Sequence, residues 1–316
     1  MVTAEPARTT RPGPAVRGGS PSAGTRLRDV ALMLTAAGST QTGAALGAHA
    51  FPAIGPAGVV AVRQLVAAAV LLPVARPRVR ALSRAQWWPI LLLAAVFAVM
   101  NLAVYTTVDR LGLALAITLE FLGPLGVALA ASRTRRDLAV AAVAGAGVYA
   151  LVLPGPTSDL LGVGVGLLSA ACWAGYIVLN RLVGGRVPGL QGTALATGVA
   201  ALGYLPVLAV LGAAGRITPA ALGYAAAAGT LASVVPYALD LIVLRTVPAQ
   251  VFGVVMSAHP VLAAVAGTVL LGQVLAGHEW AGIAVIVVAN LVTVTRRPAR
   301  ITAAGTPAPA DRAGRS

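Results

Sequence analysis

The feature that most constrains the fold is a series of long apolar runs, separated by short segments that carry arginine. The stretch 90–95, for example, is apolar on every side of a helix. Only 10% of the residues are charged, against about a quarter in an average soluble domain. A helix that crosses a ~30 Å hydrocarbon core needs ~20 apolar residues. The sequence therefore predicts an all-α membrane protein with several spanning helices.

Ten helices are predicted, flanked by polar tails. The tails, 1–28 and 296–316, are cationic, have no apolar periodicity and are predicted to be disordered. The first apolar run resembles a signal peptide, but it is longer than a typical signal core and contains the polar residues 39–42, so we keep it as a helix. The predicted helices occupy residues 30–50, 57–75, 87–107, 111–131, 138–153, 160–180, 192–212, 219–241, 247–271 and 279–295.

The arginines predict the orientation of these helices. All 23 basic residues are arginine, and most lie at the two ends of the chain and in every second loop; the alternate loops carry only Arg110, offset by Asp109, and Arg216. Short cytoplasmic loops carry the excess of positive charge in membrane proteins, so both termini are predicted to be cytoplasmic. Nucleic-acid binding would need the arginines on one folded face. No nucleic-acid partner is expected, although the net charge is +14.

The ten predicted helices divide into two repeats of five, at residues 29–153 and 158–295. An odd number of helices in each repeat forces the second to insert upside down, which is the inverted-repeat plan of many secondary transporters. The middle of helix 4, residues 120–124, and the middle of helix 9, residues 257–260, each contain a proline. This weak internal similarity favours two inverted halves.

Glu120 is the sharpest candidate for a functional residue, because charged groups are rare and costly inside a membrane. It lies about 14 Å along its helix and therefore close to the middle of the bilayer. Pro124 removes the helical hydrogen bond to the carbonyl of Glu120, which loosens the helix beside the acid. Glu120 is predicted to gain and lose a proton as water access alternates. The alternative is a structural, protonated glutamate that binds a neighbouring helix.

His259 and Arg63 are the other ionisable candidates. His259 takes the equivalent place in helix 9, where imidazole could carry a proton or face Glu120; the alternative is a neutral side chain bound to a carbonyl. Arg63, about two turns into helix 2, could hold a substrate carboxylate, since guanidinium forms bidentate pairs. Two alternatives remain open for Arg63: it could extend to the membrane interface, or it could pair with Glu120.

Several polar or aromatic residues lie one or two to a helix and could line a cavity for a zwitterion. Each one alone could equally serve contacts between helices. No catalytic triad, metal-ligand spacing or nucleotide-binding motif is visible, so neither an enzyme nor a cofactor or metal is predicted. The predicted lining residues are Gln41, Asn101, Tyr105, Trp173, Tyr176 and Tyr237.

Certain segments resemble a known family. The most specific are 109–112 and 118–124, and the others are 39–45, Arg63, 173–176 and 252–257. They resemble the drug/metabolite transporter superfamily with paired EamA-type repeats, and within it the threonine/homoserine exporter group. The resemblance covers about residues 30 to 295. It differs at His259 and Gln273, where many relatives have an acid, so Glu120 is the one acid in the middle of either repeat's fourth helix.

The resemblance implies an exporter of small polar metabolites in the cytoplasmic membrane, for amino acids such as threonine and homoserine or their analogues. We expect alternating access between the halves, coupled to protons through Glu120 with His259 and Arg63 assisting, as in an antiporter. The expected partners are the small-molecule substrate, protons and lipid, and the sequence leaves open whether the chain forms a homodimer. Two alternatives are an exporter of drug-like secondary metabolites and, less favoured, a membrane scaffold without transport.

Overall fold

The computed structural model describes residues 23–130, 135–153, 159–243, 247 and 249–295, and this part of the chain is almost entirely helical. A 3₁₀ turn lies at Val79–Ala81 and a π turn at Thr230–Val234. The α-helices are α1 (Ala23–Ala48), α2 (Phe51–Ala75), α3 (Arg84–Leu111), α4 (Leu113–Glu120), α5 (Leu122–Ala130), α6 (Arg135–Val152), α7 (Leu160–Gly184), α8 (Gln191–Gly203), α9 (Leu205–Ala213), α10 (Pro219–Gly229), α11 (Val235–Val243), α12 (Ala249–Met256), α13 (His259–Leu271) and α14 (Gly277–Thr295).

Eight helical segments within the described residues are long and apolar enough to cross a membrane. They are α2, α3, α4 with α5, α7, α8 with α9, α10 with α11, α12 with α13, and α14. Polar residues keep α1 and α6 out of this set: α1 contains residues 39–42, and α6 begins with two arginines and an aspartate. The prediction of an all-helical, multi-pass membrane protein is confirmed.

The outer surface of the helix bundle is apolar. Large aliphatic side chains such as Leu91, Leu161, Val210 and Val269 point outward and are 48–73% exposed. A soluble monomer rarely exposes contiguous apolar surface of this kind, because water contact with it is unfavourable. Lipid tails are a suitable solvent for such a surface.

Two of the predicted helices are broken near their middle. Predicted helix 4 is two helices, α4 and α5, which meet at Phe121. Predicted helix 9 is likewise α12 and α13, separated by Ser257 and Ala258. In each case a proline lies just after the break, where its ring and its missing N–H disfavour a continuous helix. Each pair still forms one candidate membrane span, Leu113–Ala130 and Val251–Leu271, so the predictions at 111–131 and 247–271 are corrected only in that each helix is interrupted, as Pro124 predicted beside Glu120.

Other predicted limits also need correction. Predicted helix 7 breaks at Tyr204, ahead of Pro206, and predicted helix 8 contains the π turn. Helix α1 begins at Ala23, so residues 23–28 are helical rather than part of a disordered tail; no proline follows Pro21 there to prevent a helix. The rest of both predicted tails, residues 1–22 and 296–316, lies outside the described residues.

Helices of the first part of the chain, α1 to α6, pack against helices of the second part, α7 to α14. Helix α3 packs along α7, and α1 packs along α10 and α11. The broken helices follow the same arrangement, since α4 and α5 pack on α7 while α12 and α13 pack on α1. Helix α4 also packs on α13, and α6 on α14. Helices of both parts therefore surround the centre of the bundle, and a space at the centre is lined by residues of both.

One end of the bundle is closed. At the end where α4 begins and α13 stops, small and aliphatic side chains such as Ala45, Val59 and Leu113 are fully buried in one cluster. The amide of Gln273 crosses between the two parts of the chain there, where its Oε1 accepts a hydrogen bond of 3.0 Å from the N–H of Leu113. Arg110 and Asp159 form an ion pair of 2.8 Å at the same end. The pKa of Asp159 lies below its usual value, because Arg110 and the N–H of Gly162 both donate hydrogen bonds to its carboxylate.

Candidate functional site

A cavity of about 440 Å³ lies at the centre of the bundle, between α1, α2, α3, α7 and the two broken helices. It extends from Val108 and Ile117, deep in the bundle, towards Met33, Asn180 and Thr193. The cavity therefore reaches towards the end opposite to the closed one. Every predicted site residue lines it, namely Gln41, Arg63, Asn101, Tyr105, Glu120, Trp173, Tyr176, Tyr237 and His259.

Arg63 is held by neutral groups. Its Nη1 donates a hydrogen bond of 2.7 Å to Oδ1 of Asn101, and its Nε donates one of 3.2 Å to Oγ of Ser233. Its Nη2 donates to the carbonyl oxygen of Ala232 at 3.2 Å, and its guanidinium lies 5.3 Å from the ring centre of Tyr105. These contacts fix the guanidinium against the cavity and leave N–H donors for a further acceptor, since guanidinium has five.

Glu120 is the acid of the cavity and ends α4. Its Oε1 accepts a hydrogen bond of 2.9 Å from Oγ of Ser169, a fully buried residue of α7. The helix break at Phe121 follows at once, so Glu120 is the last residue of α4. A carboxyl group with one neutral hydrogen-bond donor can hold a proton or accept a cation.

Arg63 and Glu120 form no direct ion pair among the described residues, although the two charges are close enough to act on each other electrostatically. Within the described residues the ion pair found is that of Arg110 with Asp159, and none joins Arg63 to Glu120. Arg63 does not extend to the membrane interface either, because its head is bound to Asn101 and Ser233 inside the bundle. The cavity wall therefore carries a guanidinium and a carboxyl group whose hydrogen-bond partners are neutral.

His259 lies at the second helix break and is 8% exposed. Its Nδ1 accepts a hydrogen bond of 3.0 Å from Nε2 of Gln41. Its ring centre lies 5.4 Å from that of Phe121, the residue at the first break. The two breaks thus face each other across one aromatic contact, and His259 binds an amide rather than Glu120.

Aromatic rings form much of the remaining wall. Phe121 packs edge-on against Trp173 at 4.8 Å between ring centres, and Phe97 stacks on Tyr176 at 5.8 Å. Sequence reasoning missed Phe97 and Phe121 as lining residues, and it also missed Ser169 and Ser233. Serine and phenylalanine are ordinary residues of apolar helices, so the sequence does not distinguish Phe97, Ser169 and Ser233 from their neighbours, whereas Phe121 lies in the segment 118–124 that carries the family resemblance.

No metal centre is found in the described part of the chain, where no three His, Cys, Asp or Glu side chains come together. The described lining of the cavity includes a guanidinium, a carboxyl and an imidazole group, which can bind charged or polar ligands.

The chain was compared with known proteins. Residues 160–295 match the EamA-like transporter family. The threonine/homoserine exporter RhtA of Salmonella typhimurium is 31% identical over 275 residues, which cover 85% of this chain and 93% of that protein. The chain belongs to the EamA-like transporter family. RhtA of Escherichia coli K12 is 31% identical over 265 residues, 83% of this chain and 90% of that protein.

A more distant relative extends the comparison. The uncharacterized transporter YwfM of Bacillus subtilis is 28% identical over 215 residues, 65% of this chain and 73% of that protein. Membership of the EamA-like family confirms the predicted resemblance and the prediction of a transporter rather than an enzyme. Together with the apolar helices, it identifies a multi-pass protein of the cytoplasmic membrane.

Proposed function

We propose that this EamA-like transporter exports small zwitterionic metabolites, amino acids such as threonine and homoserine or their analogues. The observation that carries the proposal is the cavity wall, in which Arg63 and Glu120 each hydrogen-bond to neutral partners and form no direct ion pair with each other among the described residues. A partly buried charge whose hydrogen-bond partners are neutral forms a stronger, charge-assisted bond when an opposite charge binds beside it. A ligand with both a carboxylate and an ammonium group would supply both counter-charges. The relatives named as threonine/homoserine exporters support this substrate class and the direction of transport.

The proposed architecture is ten spanning helices in two inverted repeats, at residues 29–153 and 158–295. Helices α1 and α6 would add two spans to the eight apolar ones. If the two repeats are equivalent, α1 corresponds to α7, and α3 corresponds to α10 with α11. The packing of α3 on α7 then corresponds to the packing of α10 and α11 on α1. The paired helix breaks at Phe121 and at Ser257-Ala258 support the same relation.

The proposed orientation has both termini in the cytoplasm, in line with the arginine-rich loops. The cavity would then reach towards the cytoplasm, and the closed end with Gln273 and the Arg110–Asp159 pair would face outward. Such a state receives substrate from the cell. Export would follow when the packing at the closed end opens and that around Asn180 and Thr193 closes.

Glu120 is the proposed point of coupling to protons. The ammonium group of a substrate and a proton would compete for the same carboxylate, so one leaves as the other binds. Held by a single hydroxyl donor from Ser169, the carboxylate can accept either. Competition of this kind links outward movement of substrate to inward movement of protons, provided that Glu120 contacts water from each side in turn. Arg63 would keep its charge throughout and hold the substrate carboxylate.

Transport by purified protein in liposomes tests this proposal. Vesicles loaded with labelled threonine or homoserine are given a pH gradient, and efflux is compared with that at equal pH. We expect the gradient to stimulate efflux by the wild type and to have no effect on Glu120→Gln. Glu279→Gln is the matched control, because Glu279 accepts a hydrogen bond from its own helix terminus and lies outside the cavity. Equal stimulation of wild type and Glu120→Gln would exclude the coupling role.

Export of drug-like compounds is the second candidate. The aromatic wall of Phe97, Phe121, Trp173 and Tyr176, together with Met100, favours it, because such side chains adapt to varied apolar ligands. The volume of about 440 Å³ also lies within the ~300–1,000 Å³ of small-molecule sites. Resistance of producing cells to diverse apolar toxins, with no efflux of amino acids from liposomes, would favour this candidate over the first.

A further inference from the structure

The π turn Thr230–Val234 lies directly against Arg63 and supplies two of the three hydrogen-bond acceptors found for it in the described part of the chain. These two are the carbonyl oxygen of Ala232, 3.2 Å from Nη2, and Oγ of Ser233, 3.2 Å from Nε. The third is Oδ1 of Asn101 on α3. Single π turns inside α-helices are rare and often lie at functional sites. The position of Arg63 therefore depends on a turn that ordinary helices lack.

Pro236 explains why this turn offers carbonyl oxygens to other helices. The N–H of Val235 donates to the carbonyl of Thr230, five residues earlier, which is the π spacing. The next residue is Pro236, which has no N–H. A continued π ladder would pair its nitrogen with the carbonyl of Leu231, and a return to the α ladder would pair it with that of Ala232. Neither pairing is possible, so both carbonyls lose this backbone donor.

Two side chains from the first part of the chain take the place of the missing donor. Oγ of Ser39, on α1, donates a hydrogen bond of 2.7 Å to the carbonyl oxygen of Leu231. Arg63, on α2, donates to that of Ala232. Carbonyl groups inside a membrane need such partners, because lipid offers none. The same turn is thus bound to α1 and gives the guanidinium its direction.

Two glycines allow the turn to approach both helices closely. A methyl group on Gly43 of α1 would lie 2.7 Å from the backbone nitrogen of Ala232, and one on Gly229 would lie 3.2 Å from Cα of Arg63. Such distances leave little room for a side chain on either side. The turn is therefore clamped between α1 and α2, and a rotation of the turn would move both groups that it offers to Arg63.

We infer that Ser233 and Pro236 are positioning residues that direct the guanidinium of Arg63 towards the carboxylate of the substrate. Pro236 frees the carbonyl of Ala232, and that carbonyl and the Ser233 hydroxyl fix the guanidinium from one side. Three of its five N–H donors are used, which leaves one on each terminal nitrogen for binding of a carboxylate by two bonds. The inference rests on the proposed function and explains how the site holds one end of a zwitterion.

The test is the concentration dependence of threonine efflux from liposomes, which measures KM and kcat separately. Ser233→Ala removes the bond to Nε and should raise KM by roughly three- to tenfold with kcat little changed, as expected for loss of one hydrogen bond. Ser233→Thr keeps the hydroxyl and should restore the wild-type KM. Thr230→Val is the matched control in the same turn, because Thr230 is exposed and its hydroxyl donates to its own helix at Ala226.

A second variant, Pro236→Ala, changes the turn itself. Alanine returns an N–H to the ladder, so the carbonyl of Ala232 gains a backbone donor and the turn can close into an α-helix. We expect a larger rise in KM than for Ser233→Ala, because both acceptors of the turn then move away from Arg63. Pro206→Ala is the control, since Pro206 follows a helix break outside the cavity. Should Pro236→Ala fail to fold, the two Ser233 variants decide the question.

The outcomes separate the two proposals. An unchanged KM in folded Ser233→Ala, or an equal rise in Thr230→Val, overturns the positioning role and leaves the proposed function intact. A loss confined to kcat also overturns it, because Ser233 would then serve the movement of the helices rather than binding. Folded wild-type protein that transports neither threonine nor homoserine contradicts the proposed function itself.

Discussion

The two helix breaks have the same design but carry different chemistry. The break at Phe121 presents Glu120, which is bound by Ser169 from α7. The break before α13 presents His259, which is bound by Gln41 from α1. Each break is thus held by a helix from the other part of the chain, through one side-chain hydrogen bond of 2.9 or 3.0 Å. The backbone arrangement repeats, whereas the ionisable group does not.

This difference divides the proposed tasks between the breaks. An acid held by a hydroxyl can exchange a proton for a cation, so the first break suits coupling. An imidazole held by an amide forms a neutral pair, so the second break suits a positioning role in which His259 assists Glu120. A transporter with an acid at both breaks would not separate these tasks in this way.

The largest expected effect is on coupling and comes from replacing the two break residues one at a time. Glu120→Gln should abolish stimulation of efflux by the pH gradient. His259→Gln should preserve part of it, because His259 binds the amide of Gln41 rather than Glu120 and can only assist the exchange. Efflux from liposomes with and without the gradient measures both. Loss of stimulation in His259→Gln would remove the distinction between the breaks.

The next effect is on stability and compares the packing behind each break. A methyl group on Gly123 would overlap the backbone carbonyl of Ala170, whereas one on Gly253 would meet the movable side chain of Val294 at 2.7 Å. Gly123→Ala should therefore destabilise the protein by about 1–3 kcal/mol, as overpacking does, and Gly253→Ala by less.

Thermal unfolding in detergent ranks the stability of these variants. Gly126→Ala is the control in the same helix as Gly123, since nothing lies within 4 Å of the added methyl group. A larger loss of stability in Gly253→Ala than in Gly123→Ala would reverse the comparison.

A smaller effect concerns the contact between the two broken helices at the closed end. Gln273→Leu removes the hydrogen bond to the N–H of Leu113, worth about 0.5–1.5 kcal/mol. The closed end should open more often, by roughly two- to tenfold on that energy. Labelling of a cysteine placed at Ala116, in a variant without Cys172, measures access from that side. Gln191→Leu is the control, because Gln191 accepts a similar bond from the N–H of Arg78 at the other end.

The smallest effect lies outside both breaks, at the Arg110–Asp159 pair. The pKa of Asp159 is lowered in the folded protein, so its carboxylate contributes stability above the ordinary value of about 4 and loses it as the pH falls through the lowered value. Asp159→Asn should slightly reduce the unfolding temperature at pH 7, with the difference shrinking on acidification. Gradient-stimulated efflux should be unchanged. A loss of efflux equal to that of Glu120→Gln would give the pair a role in coupling.

Glu120, His259 and Arg63 could be predicted as candidates because few ionisable residues occur in the apolar runs, and such residues are costly in lipid. Their partners could not be predicted. The bond from Ser169 to Glu120 and that from Arg63 to Asn101 join distant parts of the chain. Sequence reasoning left open a pair between Arg63 and Glu120, since both charges and their depth were known but their directions were not.

The sequence by itself determined that this is a helical, multi-pass membrane protein and to which family it belongs. Apolar length, charge spacing and short motifs are properties of the chain read in order. Only the tertiary structure decided where the helices break, which side chains meet at the cavity, and that Glu120 and His259 have separate partners. These depend on contacts between residues more than a hundred positions apart in several cases, as for Gln41 with His259. Such contacts are set by how packed helices cross and turn, and local patterns do not record that geometry.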